Sequence, residues 1–163
     1  MSKHLERDLD DLQKNIMGLA SLVEQAFSLS IIALRDRNPD IARDVIQGDV
    51  QIDMEENQIN EDCLKILALH QPVAGDLRRC TAAMMIITDL ERMGDLAHHI
   101  AKVARLRHPN SAIPADLVLA FTEMGHVAEK LSTKVATVIT TRDTDMALQV
   151  EKDDDEMDEL HKK

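Results

Sequence analysis

Apolar residues recur at alternating spacings of three and four along most of this chain, a pattern typical of amphipathic helices. In the first such stretch the apolar stripe runs from Leu5 through Ile16 to Ala33. Asn38 followed by Pro39 is a typical start for the next helix. The predicted helices cover about residues 4–36, 39–70, 72–106, 115–141 and 143–163. Because long helices joined by short turns pack as elongated bundles, the sequence predicts an all-α fold.

The fourth and fifth predicted helices repeat the first and second, which indicates duplicated bundles. The correspondences are Arg35-Asp36 with Arg142-Asp143, displaced by 107 residues, and, after a turn two residues shorter, Asp49 and Asp53 with Asp154 and Asp158, displaced by 105. We therefore expect two tandem three-helix bundles.

The repeat and the prolines also predict the domain boundaries. The first bundle is expected to be complete over residues 1–107, with a linker over 108–114. The second bundle is expected to start at 115 and to be represented by two helices up to residue 163. The fifth helical pattern still runs at Lys163, so we expect a longer natural protein with a sixth helix.

Charge and composition narrow the possible partners. The 163 residues contain 19 Lys and Arg against 30 Asp and Glu, which gives a net charge of −11 and argues against a nucleic-acid-binding protein. Aromatic residues make up only 1% of the chain, so a base-stacking surface is not expected. The two cysteines, Cys63 and Cys80, lie outside any C-x-x-C motif, which favours reduced thiols in a cytoplasmic protein.

Three pairs of carboxylates lie four residues apart within the predicted helices. Two carboxylates at this spacing share one helix face and can bind one divalent cation. A further side chain follows seven residues after the first member of each pair. The pairs are Asp49/Asp53, Glu91/Asp95 and Asp154/Asp158, and the further side chains are Glu56, His98 and His161. A solvated acidic face is the commoner explanation of any single pair. Recurrence in the repeat strengthens the case for a metal site at the first and third pairs, and from spacing alone both explanations stay open.

Two short motifs resemble the signatures of the PhoU family. They are Q-P-V-A-G-D-L-R at residues 71–78 and D-L-E-R-M-G-D at residues 89–95. The resemblance covers nearly the whole chain and implies two tandem three-helix bundles related by a pseudo-twofold axis. It also implies a non-enzymatic negative regulator that links a phosphate ABC transporter to a sensor histidine kinase.

The resemblance further implies multinuclear iron or zinc clusters on the bundle surface, with manganese or magnesium as other possible ions. Members of the family are also expected to form homodimers and to reach the membrane through their partners. The implied metal ligands are Asp49, Asp53, Glu91, Asp95, Asp154 and Asp158, with His98 as a further candidate. A fourth pair, expected on a sixth helix, does not occur in the 163 residues.

Two other functions fit the same residues. Asp95-x-x-His98 and Asp158-x-x-His161 imitate the Glu-x-x-His ligands of ferritin-like di-iron enzymes, although two further inward glutamates cannot be placed. A plain helical scaffold with solvated acidic faces is the second alternative.

Overall fold

The computed structural model describes residues 2–163, and within them the prediction of an all-α fold is confirmed. The chain forms five α-helices and one short 3₁₀ turn at Ala115–Leu117. The helices are α1 (Lys3–Asp36), α2 (Pro39–His70), α3 (Ala74–Arg107), α4 (Val118–Thr141) and α5 (Thr144–His161). The third helix begins at Ala74 rather than at Pro72, because Gln71 is left-handed and Val73 is extended. The fifth ends at His161 rather than running to Lys163.

Helices α1, α2 and α3 each pack against the other two and enclose the main core. The predicted stripe of α1 supplies one side of this core, and Leu9 and Leu19 are almost completely buried there. Ile59 of α2 and Ile87 of α3 meet it from the other two helices. Burial of these aliphatic side chains is what orients α2 and α3 relative to each other.

By length and composition α1 is also apolar enough to cross a membrane, with a mean hydropathy of 1.6 in its most apolar window. The core helix of a globular bundle has the same composition, and the apolar stripe of α1 is buried against α2 and α3. In that window 33% of the residues are buried in the bundle, so packing accounts for part of the hydropathy of α1.

The α4–α5 hairpin is attached to the other helices through α4. Within residues 2–163, α4 packs against α1 and α5, whereas α5 packs against α4 alone. The Gln13 side chain donates a hydrogen bond of 2.6 Å to the Ile139 carbonyl, and the Thr133 hydroxyl donates one of 2.9 Å to Glu24. These contacts place α4 antiparallel to α1.

The ends of α1 and α4 show which residues of the internal repeat correspond to each other. Arg37 ends α1 and Arg142 ends α4, both in the left-handed conformation, with φ of 52° and 57°. The next residues, Asn38 and Asp143, cap α2 and α5 with their side chains. Both pairs are displaced by 105 residues. The predicted displacement of 107 for the first helices, and the shorter turn after them, are therefore wrong, because the pairing aligned Arg35 rather than Arg37 with Arg142.

The Asn38 cap gives a test of the first hairpin. Its side-chain oxygen accepts hydrogen bonds from the amides of Asp40 and Ile41 at 3.0 and 3.1 Å. We expect Asn38→Ala to lower the free energy of unfolding by about 1 kcal/mol, measured by urea denaturation. Asn15→Ala, at an exposed position inside α1, is the matched control and should change it by less than about 0.5 kcal/mol. Equal losses for both variants would contradict the capping role.

Candidate metal centre

Helices α2 and α3 bring three carboxylates from two of the predicted pairs to one place. Asp49, Asp53 and Asp95 each offer an oxygen atom, and these atoms all lie within 4.8 Å of one another. Two ligand oxygens on opposite sides of a divalent cation are about 4–5 Å apart, since each bond measures about 2.0–2.6 Å. Their spacing therefore suits a single ion held between the two helices.

The local sequence explains why these side chains converge. Asp49 and Asp53 lie one turn apart on α2, and the three-residue connection after α2 returns α3 antiparallel to it. Ile52, between them in sequence, points into the core and is 3% exposed. The two carboxylates therefore flank the edge of the α2–α3 interface, where Asp49 is itself only 8% exposed.

His98 of α3 extends the cluster through a hydrogen bond with Asp49. Its Nδ1 lies 2.6 Å from Asp49 Oδ2, so an Nδ1–H donates to the carboxylate. In that tautomer Nε2 carries a free lone pair. Within residues 2–163 two buried side-chain atoms have no hydrogen-bond partner, and they are Asp49 Oδ1 and His98 Nε2.

These two buried atoms without hydrogen-bond partners indicate whether the residues present suit a metal ion. Buried polar atoms are normally hydrogen-bonded, and an unpaired buried acceptor is costly. Both atoms are acceptors of the kind that bind divalent cations, and metal-bound histidines commonly donate their other N–H to a carboxylate. The donor set of carboxylates and one imidazole therefore fits a divalent cation.

Electrostatic effects show that two further glutamates belong to the same cluster. Burial, a hydrogen bond with Asp95 and the nearby acidic groups raise the pKa of Glu91 to about 7. Burial, followed by repulsion from Asp53 and Asp95, raises the pKa of Glu56. The pKa of Asp53 is raised by burial and by Asp49 and Asp95. The carboxylates of α2 and α3 therefore repel one another, and this repulsion helps to raise these pKa values.

Glu56 was absent from the ligand set that the family resemblance implied. The signal that identifies it is its position seven residues after Asp49, which returns it to the same face of α2. Of the implied residues, the structure brings Asp49, Asp53, Glu91, Asp95 and His98 together.

The third predicted pair lies apart from this cluster. Asp154 and Asp158 are exposed on α5, and within residues 2–163 no acidic or histidine side chain of another helix joins them in a group of three. At a displacement of 105 they are equivalent to Asp49 and Asp53, which α3 covers in the first half. Their neighbour Asp153 forms an ion pair with Lys134 of α4, which lowers the pKa of Asp153.

The helices and the cluster together define an all-helical bundle protein with a carboxylate-rich candidate cation site. The family model described as the PhoU domain matches residues 16–104. The phosphate-specific transport system accessory protein PhoU homolog 2 of Mycobacterium tuberculosis is 36% identical over 94% of this chain and 72% of its own length. The PhoU homolog of Aquifex aeolicus is 33% identical over 96% of this chain and 70% of its own length.

Solved structures similar to this chain belong to the same family as these relatives. The crystal structure of PhoU from Pseudomonas aeruginosa matches with a TM-score of 0.88 and 28% identity, over 96% of this chain and 75% of that one. The phosphate transport system regulatory protein PhoU from Streptococcus pneumoniae matches with a TM-score of 0.86 and 25% identity, over 96% and 72%. The chain therefore belongs to the PhoU family, and the resemblance seen in its two motifs is confirmed.

The raised pKa of Glu91 predicts how pH affects the stability of the protein without a bound cation. Folded Glu91 keeps its proton up to about pH 7, whereas the unfolded chain releases it near its usual pKa of 4.5. Since the unfolded state then binds fewer protons, the free energy of unfolding falls as pH rises through this window. In chelator-treated protein we expect Glu91→Gln to have a higher melting temperature than the wild type at about pH 8. The two melting temperatures should become equal near about pH 4.

Glu61→Gln is the control for this measurement, because Glu61 is exposed on the same helix as Asp49. It should leave the pH profile of the melting temperature unchanged. If Glu91→Gln lowers the melting temperature at high pH without a cation, the carboxylates do not repel one another as described.

Proposed function

We propose that this chain is a non-enzymatic regulator of phosphate uptake and of phosphate-responsive signalling. The observation that carries the proposal is its identity of up to 36% over 94% of the chain to curated phosphate-specific transport accessory proteins. The structural match to the phosphate transport system regulatory protein PhoU from Streptococcus pneumoniae supports the same role. Long helices offer extended faces for partner helices, which suits a regulator that acts by binding.

The finer assignment follows the family. The chain acts in the cytoplasm as a homodimer and as a negative regulator, and it connects a phosphate ABC transporter with a sensor histidine kinase. It reaches the membrane through those partners. Its net charge of −11 supports protein partners rather than nucleic acid.

The candidate metal centre holds iron or zinc, with manganese or magnesium as other possible ions. Asp49, Asp53 and Asp95 supply oxygen ligands to one ion, and Glu91 and His98 add the donors that a multinuclear cluster needs. Oxygen-rich sites with an imidazole suit hard and borderline divalent cations. The bound ion supplies positive charge that offsets the repulsion among the carboxylates and links α2 to α3.

A ferritin-like di-iron enzyme is less well supported by this geometry. The clustered donors come from α2 and α3 alone, whereas ferritin-like sites take inward ligands from all four helices of a bundle. The second motif that resembles the ferritin-like Glu-x-x-His ligands, Asp158-x-x-His161, is exposed on α5. A structural or regulatory ion accounts for the cluster better than an oxidative centre does.

Residues 115–163 form two helices of a second three-helix bundle, after a first bundle over 1–107 and the linker over 108–114. Support comes from an apolar groove of about 310 Å³ between α3, α4 and α5. Its lining includes Val138, Ala147 and Val150. The equivalent residues at a displacement of 105 are Ala33, Ala42 and Val45, which pack against the end of α3.

The metal assignment predicts a cation-dependent gain in stability. An ion that binds only the folded state raises stability by about 2.7 kcal/mol at a concentration 100 times its Kd. We expect Mn²⁺, used as an air-stable divalent probe, to raise the melting temperature of chelator-treated wild type. The double variant Asp49→Asn with Asp95→Asn should lose this rise.

The exposed pair on α5 provides the matched control. Asp154→Asn with Asp158→Asn removes the same number of charges at the same type of residue, away from the α2–α3 cluster. This variant should keep the Mn²⁺-dependent rise. An equal response in all three proteins would place cation binding elsewhere in the chain.

The regulatory role predicts a phenotype in the organism that encodes the chain. With a negative regulator removed, we expect deletion of its coding sequence to raise expression of phosphate-uptake genes while phosphate is plentiful. Transcript levels measured with and without a restored copy test this. Unchanged transcripts at high phosphate would argue against the regulatory assignment and leave the metal site untouched.

A further inference from the structure

Gly94 of α3 directly precedes Asp95 and faces Ile52 and Asp49 of α2. We propose that Gly94 is a positioning residue, whose missing side chain sets the α2–α3 separation at which Asp49, Asp53 and Asp95 share one cation. The inference rests on the proposed metal site. Its basis is the packing around Gly94, which is buried within α3.

A side chain at position 94 would collide with α2. A Cβ placed on Gly94 would lie 3.2 Å from both Cδ1 and Cγ2 of Ile52, closer than ordinary van der Waals contact. The same Cβ would lie 3.7 Å from Asp49 Oδ1, the buried carboxylate oxygen that has no hydrogen-bond partner. Gly94 therefore adjoins both the core and a donor atom of the site.

Ile52 cannot easily move away from such a contact. It is 3% exposed and belongs to the main core between the helices. A β-branched side chain in a helix strongly prefers one χ1 rotamer, and Cγ2 is bonded directly to Cβ. Because the interior is close-packed, we expect an added methyl group to be accommodated in part by a displacement of the helices.

A displacement of α3 from α2 acts directly on the donor set. Asp49 and Asp53 belong to α2 and Asp95 to α3, so the separation of the helices is also the separation of the ligands. In a well-formed site the metal–ligand distances agree with their standard values to within about 0.2 Å. A shift of a few tenths of an ångström therefore weakens the site while every ligand is still present.

The test compares Mn²⁺ affinity by isothermal titration calorimetry in wild type and Gly94→Ala. We expect Gly94→Ala to bind Mn²⁺ at least about tenfold more weakly, as is usual when the support of a metal ligand is altered. The double variant Gly94→Ala with Ile52→Ala removes both colliding carbons. It should recover most of the lost affinity, which a general loss of stability cannot explain.

Two other glycines supply matched controls. Gly48 precedes Asp49 on α2, and a Cβ there meets nothing within 4 Å, so Gly48→Ala should leave the affinity within about twofold. Gly125 of α4 has a similarly close neighbour, Ile31 of α1 at 3.3 Å, but lies at another interface. Gly125→Ala should lower the melting temperature and leave Mn²⁺ affinity unchanged.

The outcomes separate this inference from the proposed function. If wild type binds Mn²⁺ and folded Gly94→Ala binds it equally well, the positioning role is wrong and the metal site stands. If wild type binds no cation, both fail together. Should Gly94→Ala not fold, the double variant decides, because a folded double variant that does not bind Mn²⁺ overturns the role and one that binds normally supports it.

Discussion

The close packing of α2 against α3 holds together carboxylates that repel one another. Asp49, Asp53, Glu56, Glu91 and Asp95 crowd one edge of this interface, and burial makes their repulsion stronger than it is in water. The aliphatic core below them keeps the two helices in contact in spite of it. The cluster is therefore a place where packing energy maintains an unfavourable charge arrangement, which is common at functional sites.

Much of the fold is predictable because it follows from local rules. The alternating apolar spacing identifies five helices, and Asn38 with Pro39 marks the start of α2 correctly. The start of α3 is not predictable in the same way. Pro72 suits a first helical position, but Gln71 adopts a left-handed conformation and Val73 an extended one, and these delay the helix to Ala74. A choice among turn conformations depends on how the two helices pack afterwards.

The candidate site was predictable as pairs but not as a cluster. Spacing along one helix places Asp49 beside Asp53, and Glu91 beside Asp95, without any knowledge of the fold. Only the packing of α2 on α3 shows that the pairs meet and that His98 donates to Asp49. The pair Asp154/Asp158 has the same spacing but stays exposed, because no helix equivalent to α3 covers it within residues 2–163.

The two matching turns have a consequence for how the chain reaches this structure. Arg37-Asn38 and Arg142-Asp143 each reverse the chain with a left-handed residue followed by a side-chain cap. The left-handed residue and the cap of each turn are neighbours in sequence, so the caps that reverse the chain form through contacts that are short in sequence. Topologies rich in local contacts fold quickly. Both halves of the chain reverse direction by the same local device, and the Arg142 side chain adds a hydrogen bond of 3.3 Å to Gln13 that ties the second turn to α1.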